Sequence, residues 1–425
     1  MTELAWIDAA VIAARPQAMA ALLRYFRDLD KAEEAYQEAC LRALSQWPQN
    51  GPPRDPVAWL IFVGRNAQLD GTRKLARHVA LPEDDQISDL EDAEAEMVDR
   101  IDTSGYRDDV LRLFFICCHP ELPATQQIAL ALRIVSGLSV GQIARAFLVG
   151  DVAMEQRLTR AKARIAKSPV PFEPPGAVER SERLASVIAM TYLLFNEGYS
   201  ASERPLGERA QLCDEAIRLT RLLLRLFPME AEVMGLLALQ LLQHARLPAR
   251  YDAAGLLILL EHQDRTRWNR SIIGEGLALI DKAIRHKRPG PYQVQAAIAA
   301  LHARAETAAQ TDWAEIDLLY STLERMQPSP VVTLNRAVAV SKSVGPQAAL
   351  AMIEPLSDTL ADYFHFHGLK GALLVQLGRP LDARHAFDKA ISLARSPLEA
   401  DHIRQKLDAL ADAYPVPGTV GTVTR

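Results

Sequence analysis

Hydrophobic positions repeat along most of the chain at the spacing of an amphipathic helix. Apolar side chains recur three and four residues apart in long runs rich in alanine, leucine, arginine and glutamate. Short proline or glycine signals separate these runs, and few segments alternate polar and apolar residues as a strand does. The pattern therefore predicts an all-α fold.

The helical pattern stops at two segments of unusual composition. Residues 83–102 hold ten acidic side chains and one basic side chain, too few apolar groups for the segment to fold alone. Residues 167–179 contain four prolines, which fix φ and remove backbone donors. We therefore expect a helical block over 1–80, an acidic linker over 81–105, a second helical block over 106–168, a proline-rich linker over 169–180, a helical extension over 181–415 and a flexible tail over 416–425.

The helical extension contains a repeat. Trp313, Pro346 and Pro380 each open a helix that follows another helix, at spacings of 33 and 34 residues. This is the period of tetratricopeptide (TPR) helix pairs, and the segment GALLVQLGRPLDARHAFDKAISL has the small residues and the Leu-Gly turn that let such pairs stack. The repeat predicts an α-solenoid, TPR-like domain.

Composition adds limits on location and chemistry. The longest apolar stretch is far too short to span a bilayer, and the first residues lack the features of a targeting segment, so we expect a cytoplasmic protein that does not contact a membrane. The four cysteines form no CxxC pair or zinc-type spacing, which predicts buried, reduced thiols and no metal. They are Cys40, Cys117, Cys118 and Cys213.

The net charge of −5 hides an uneven distribution. When the acidic segment 83–102 is left out, residues 1–168 carry 19 basic and 14 acidic side chains. Two mildly basic blocks joined by an acidic linker are compatible with binding to nucleic acid.

Residues 138–165 predict a helix-turn-helix. Ser139 can cap the first helix, and the sequence LVGD supplies the turn before the second helix, which starts near Val152. On a helical wheel, one side of the second helix is apolar and faces the core. These core-facing residues are Met154, Leu158, Ala161 and Ile165.

The opposite side of this second helix has small and polar groups at its centre and cations at its edges. The centre consists of Val152, Gln156, Thr159, Arg160 and Ala163, with Arg157 and Arg164 on one flank and Glu155 and Lys162 on the other. Such a helix suits the major groove of DNA, where the centre meets base edges and the flanks meet phosphates. A merely solvated basic face is the alternative.

Two helices of the first block also present polar faces. In residues 32–48 the inward side is Ala32, Ala35, Tyr36, Ala39 and Ala43. The opposite side carries Leu41 among carboxylates, which favours a protein partner, although a second packing face is the alternative.

In residues 55–74 an apolar stripe at Trp59, Phe62 and Val63 turns polar at Asn66, Asp70 and Arg73. Asp70 and Arg73 can equally form a simple intrahelical ion pair.

The joint order of these segments resembles a known family. The helices AEEAYQEACLRAL and WL…RNAQLDGTRK, the acidic linker and the helix-turn-helix LSVGQIARAFL…QRLTRAKARI together look like an extracytoplasmic-function (ECF) RNA polymerase sigma factor. The stretch YLLFNEGYSAS and the helical repeats resemble the ECF group with a TPR-like C-terminal extension. The resemblance implies a transcription initiation factor that binds core RNA polymerase, at the β′ clamp and β flap, and promoter DNA. It also implies that the extension controls the sigma domains, either by packing on them or by contacting polymerase.

The resemblance also implies roles for individual residues. Core polymerase binding falls on Glu34, Gln37, Glu38, Leu41 and Arg42. Recognition of the −10 element falls on Asn66, Asp70, Arg73 and Lys74. Reading of the −35 element falls on Gln156, Thr159 and Arg160 toward bases and on Arg157, Lys162 and Arg164 toward phosphates. Gly141 and Gln142 stand where relatives often have an acidic residue, which leaves the promoter sequence open.

Two other classes of protein are alternatives. A stand-alone helix-turn-helix regulator with a TPR sensor would share the same DNA-binding helix. An enzyme would need a site such as CCHPE at residues 117–121, yet no second His/Cys cluster, glycine-rich phosphate loop or nucleophile elbow accompanies it. We therefore expect no catalysis and no cofactor.

Overall fold

The structure, a computed structural model, describes residues 5–76, 103–147, 149–167, 177–200, 206–252, 257–394 and 397–413. Within these ranges the chain forms helices and no strand, which confirms the all-α prediction. None of the described helices combines the length and apolar character that crossing a membrane requires. The predicted acidic linker, up to residue 102, and the predicted tail lie outside the described residues.

The described residues divide into two compact units. The first falls within Met1–Gly198 and Glu208–Ala216, and the second within Tyr199–Gly207 and Ile217–Arg425. Two long helices contain the points where the chain passes between the units. They are α8 (Ala177–Ser200) and α9 (Leu206–Leu226).

Three helices open the first unit, and each packs against the other two. They are α1 (Ala5–Phe26), α2 (Leu29–Asn50) and α3 (Pro56–Ala76). Helix α2 begins where the Asp28 carboxylate accepts hydrogen bonds from the backbone nitrogens of Asp30 and Lys31, at 2.9 and 3.1 Å. All five predicted inward residues of α2 are buried. Gly64 of α3 permits a close crossing, since a Cβ there would lie 2.9 Å from the Ala35 carbonyl oxygen.

Four helices form the second block of the first unit. They are α4 (Thr103–Cys117), α5 (Ala124–Ile134), α6 (Val140–Ala146) and α7 (Asp151–Lys167). Ser139 caps α6 as predicted, and the Gln142 side chain accepts in return from the Ser139 backbone, so Gln142 completes a capping box. The four predicted core-facing residues of α7 are all buried. Helices α6 and α7 and the turn between them therefore form the predicted helix-turn-helix.

The two blocks of the first unit pack against one another. Helix α1 lies along α4, and Arg24 of α1 forms an ion pair of 3.0 Å with the buried Asp109 of α4. The buried guanidinium of Arg15 donates hydrogen bonds to the carbonyl oxygens of Arg133 and Ile134, at 3.0 and 3.1 Å. These two carbonyl groups lie at the end of α5, so Arg15 satisfies acceptors that the helix itself leaves open.

The second unit consists of helices, most of which pack on the next helix in chain order. They are α10 (Ala231–His244), α11 (Leu247–Arg250), α12 (Arg270–Ile284), α13 (Pro291–Arg304), α14 (Trp313–Met326), α15 (Pro330–Ser343), α16 (Pro346–Ile353), α17 (Phe364–Gln376), α18 (Pro380–Leu393) and α19 (Pro397–Ala413). Trp313, Pro346 and Pro380 open α14, α16 and α18, as the repeat predicts. Apolar residues from α15 to α19 share one core, with Phe366 and Phe387 among its fully buried members.

Candidate functional site

The outward face of α7 is open to solvent. Of the six residues expected at the −35 element, Gln156, Arg157, Thr159, Arg160 and Arg164 are exposed. Arg160 Nη2 donates to Gln156 Oε1 at 3.2 Å, which aligns two side chains that are one turn apart. Arg164 Nη1 donates to the Glu121 carbonyl oxygen at 3.1 Å. The helix therefore presents a polar centre with cations at its surface, as the pattern predicts.

Lys162, the sixth of these residues, is engaged by α2. Its Nζ lies 2.7 Å from Asp30 Oδ1 and 2.9 Å from Glu33 Oε2. Burial favours the neutral amine, but the hydrogen bonds to the two carboxylates outweigh it and raise the pKa of Lys162 above its ordinary value. In this arrangement the ammonium is held by protein carboxylates on the flank of α7.

Glu33 is a site residue that the sequence analysis missed. It is only 5% exposed, and its carboxylate lies between two cations of the second block. One is Lys162, and the other is Arg133, whose Nη2 lies 2.5 Å from Glu33 Oε1. Glu33 precedes the outward Glu34 and lies next to the buried Ala32, so its position at the boundary of the two faces was the available signal.

The outer face of α2 is exposed as predicted. Glu34, Gln37 and Leu41 are exposed, while Glu38 and Arg42 are half-buried and form an intrahelical ion pair of 3.2 Å. Leu41 is 63% exposed, so it does not belong to a second packing face within the described chain. A large apolar side chain among charged neighbours is typical of a protein-binding surface.

The polar end of α3 is described only in part. Asn66 is half-buried, whereas the side chains of Asp70, Arg73 and Lys74 lie outside the described residues, although their backbone continues α3. Arg65, one residue before Asn66 in α3, packs over the Tyr25 ring of α1, with 4.2 Å between its guanidinium carbon and the ring centroid. This contact ties the middle of α3 to α1.

The CCHPE segment has the properties of core rather than of a reactive site. Cys117 and Cys118 are buried, and burial raises the pKa of both thiols, which keeps them protonated. Across the part of the chain that the structure describes, no group of three His, Cys, Asp or Glu residues is placed to hold a metal.

Comparison with known families covers both helical blocks. The model of sigma-70 region 2 matches residues 11–78, and that of sigma-70 region 4 matches residues 115–165. Together the two matches indicate an RNA polymerase sigma factor. The two sigma-70 regions imply that the chain binds core RNA polymerase and promoter DNA.

Two further matches extend beyond the sigma-70 regions. Residues 183–284 match a family of unknown function (DUF6596). An uncharacterized protein of Rhizobium meliloti strain 1021 is 67% identical over 411 residues, which cover 97% of each chain. The sigma regions and the helical C-terminal part therefore occur together in a second protein of nearly the same extent.

Proposed function

We propose that this sigma factor is of the ECF type and uses three helices at the promoter. Helix α2 docks on the β′ clamp through Glu34, Gln37, Glu38, Leu41 and Arg42. Helix α3 recognises the −10 element through Asn66, Asp70, Arg73 and Lys74, and α7 reads the −35 element while region 4 rests on the β flap. The chain has one region 2 match and one region 4 match with only a short segment between them, which favours the ECF type.

The face of α7 carries this proposal. The four core-facing residues of α7 are buried, so the orientation of the helix is fixed and its opposite side cannot turn inward. Gln156, Thr159 and Arg160 occupy the exposed centre, where Gln and Arg side chains have the donors and acceptors that base edges require. Arg157 and Arg164 lie at the edge of this face, where they contact phosphates of the DNA backbone.

Replacement of Arg160 tests this role. In run-off transcription with core polymerase, Arg160→Ala should reduce initiation at −35-dependent promoters about tenfold or more, because one base contact is worth about 1–3 kcal/mol. The matched control is Lys282→Ala, which removes an exposed cation from α12. If both variants initiate like the wild-type chain, Arg160 does not read DNA.

Replacement of Leu41 tests the polymerase face. Leu41→Ala should weaken binding to core polymerase about tenfold, with little change in stability, since the side chain is mostly exposed before binding. Leu381→Ala is the control, since Leu381 is a leucine of α18 that is 69% exposed. Equal affinity of the two variants for core polymerase would remove Leu41 from the interface.

We also propose that the C-terminal helical part regulates the sigma part. It makes up more than half of the chain, and a relative aligns with 97% of the whole chain, which supports a shared task. The first unit includes most of α8 and the residues Glu208–Ala216. A shortened chain should therefore end after Ala216 rather than near Ser168. We expect the amount of promoter-specific transcript to differ between this shortened chain and the full chain. Equal amounts of transcript would contradict regulation by the C-terminal part.

A stand-alone DNA-binding regulator is the second candidate function, since α7 alone would serve either role. It predicts tight promoter binding by the protein without polymerase. A sigma factor is instead expected to bind a promoter tightly only together with core polymerase, which holds both DNA-binding blocks on one surface. Gel-shift titration of a promoter fragment with and without core polymerase distinguishes these two functions.

A further inference from the structure

A pocket of the second unit takes no part in the contacts proposed above. Its volume is about 330 Å³, and it is lined by residues of α10, α12, α13 and α14 and of the loop between α12 and α13. Pockets of this size hold small organic molecules, which bury most of their surface against apolar side chains. At about 30 Å³ for each water-sized group, the pocket has room for on the order of ten non-hydrogen atoms.

The wall of the pocket is mostly apolar. Ile280, Ala283 and Val294 belong to its buried part, and Leu319 of α14 contributes a half-buried side chain. Ile284 also belongs to the wall, although its side chain is 62% exposed. A large apolar side chain that faces water is available to pack against a ligand, so the pocket suits the hydrocarbon part of a molecule.

Hydrogen bonds hold the loop between α12 and α13 in place. The Glu232 carboxylate of α10 accepts from the backbone nitrogens of Tyr292 and Gln293, at 3.1 and 3.2 Å, and from Gln293 Nε2 at 3.0 Å. Gln293 Nε2 also donates to the Arg288 carbonyl oxygen at 2.7 Å. Glu232 therefore caps the start of α13, and the loop presents its side chains from a fixed backbone.

Two cations of this loop supply the charge of the pocket. Lys287 and Arg288 line it, and the described lining contains no carboxylate. Both side chains are exposed, and neither forms an ion pair or a side-chain hydrogen bond with any residue that the structure describes. Lys287 has a φ of 53°, in the left-handed region that favours glycine, and backbone strain of this kind is frequent at ligand-binding sites. The pocket thus has positive charge beside an apolar wall.

The alternative is that the cations only complement the C-terminal end of α12. A cation in the last turn of a helix is stabilising, and Lys282 already lies there. Lys282 and Arg285 are both exposed and do not line the pocket. Lys287 and Arg288 lie beyond the last turn and do line it, so their position fits a ligand better than it fits the helix end.

We propose that this pocket binds a small amphiphilic carboxylate, a molecule with an apolar tail and one anionic end. The tail packs on Ile280, Ile284 and Leu319. The carboxylate pairs with Lys287 and Arg288, where a guanidinium can donate two parallel hydrogen bonds. A two-chain membrane lipid is much larger than the pocket, which favours a free solute. The proposal does not depend on the promoter contacts.

Isothermal titration calorimetry with the full chain tests this proposal. The probes are octanoate, octanol, which lacks the charge, octyltrimethylammonium, which reverses it, and acetate, which lacks the tail. Octanoate should bind saturably and at least about tenfold more tightly than octanol, while octyltrimethylammonium and acetate should not bind. Added salt should weaken the binding of octanoate, because the cations are exposed.

Variants separate the charge from the apolar wall. Replacing both cations, by Lys287→Gln with Arg288→Gln, should weaken octanoate binding about tenfold and leave octanol binding unchanged. The matched control, Lys282→Gln with Arg285→Gln, removes two exposed cations outside the lining and should change neither. Ala297→Leu adds an apolar side chain to the lining and should weaken both ligands. Circular dichroism melting checks that each variant is folded.

Three results would overturn the proposal. The first is no saturable binding of octanoate up to about 1 mM, the weak end of specific binding. The second is equal binding of octanoate and octanol, or octanoate binding that the cation variant and Ala297→Leu both leave unchanged. The third is sedimentation of the chain with phosphatidylglycerol vesicles that depends on the two cations and is not inhibited by octanoate, which would assign them to a membrane surface.

Discussion

Glu33 provides the most informative perturbation of the first unit. Glu33→Gln keeps the volume and one acceptor of the side chain but removes the negative charge between Arg133 Nη2, at 2.5 Å, and Lys162 Nζ, at 2.9 Å. Removal of one partner from a buried ion pair is destabilising by about 3–5 kcal/mol, because the remaining charge stays desolvated. We expect the lower end of this range, about 3 kcal/mol, since glutamine still accepts one hydrogen bond and Asp30 still faces Lys162.

Hydrogen exchange measures this loss where it occurs. A loss of about 3 kcal/mol corresponds to amide exchange that is about a hundredfold faster in segments that open when the two blocks separate, namely α5 and α7. The control is Glu34→Gln, a neighbour whose exposed side chain should change stability by less than about 0.5 kcal/mol. Unchanged exchange of α5 and α7 in a folded Glu33→Gln protein would show that the ion pairs do not hold the blocks together.

Three further predictions address other parts of the chain. Burial lowers the pKa of His302 to about 4, from an ordinary value near 6.5, so the unfolded chain binds more protons between these pH values. The free energy of unfolding is therefore retained above pH 6.5 and falls by up to about 3 kcal/mol toward pH 4. Urea titrations at pH 7 and 4.5 check this, and His302→Gln should flatten the pH dependence. Gly64→Ala should destabilise region 2 by about 1–3 kcal/mol, because the new Cβ would meet the Ala35 carbonyl oxygen. Gly274→Ala adds a Cβ in open space and should stabilise the protein by up to about 1 kcal/mol. Thermal melting of both variants measures these changes. The buried thiol of Cys118, with its raised pKa, should react with a thiol reagent at pH 8 only after denaturation, and fast reaction of the native protein would contradict its burial.

Local periodicity predicted the parts of the site that one helix determines. The buried and exposed sides of α2 and α7 follow from residues three and four positions apart, and Ser139 could be recognised as a cap from its place before an amphipathic run. The starts of α14, α16 and α18 followed from the repeat for the same reason, since each depends on a few neighbouring residues.

Long-range pairing could not be predicted in this way. Glu33 and Lys162 are 129 residues apart, and Arg15 and Ile134 are 119 residues apart. The wheel placed Lys162 on a flank of α7, but its partners depend on how α2 packs against the helix-turn-helix. A groove of the second unit is likewise lined by residues between 259 and 406, so it becomes visible only after folding.

Reconstitution with core RNA polymerase tests the central claim most directly. The full chain and purified core polymerase are mixed, their association is followed by size-exclusion chromatography, and run-off transcription is scored on genomic fragments. A sigma factor predicts a stable complex and transcripts from defined start sites that neither component produces alone. Absence of both the complex and the promoter-specific transcripts would contradict the account.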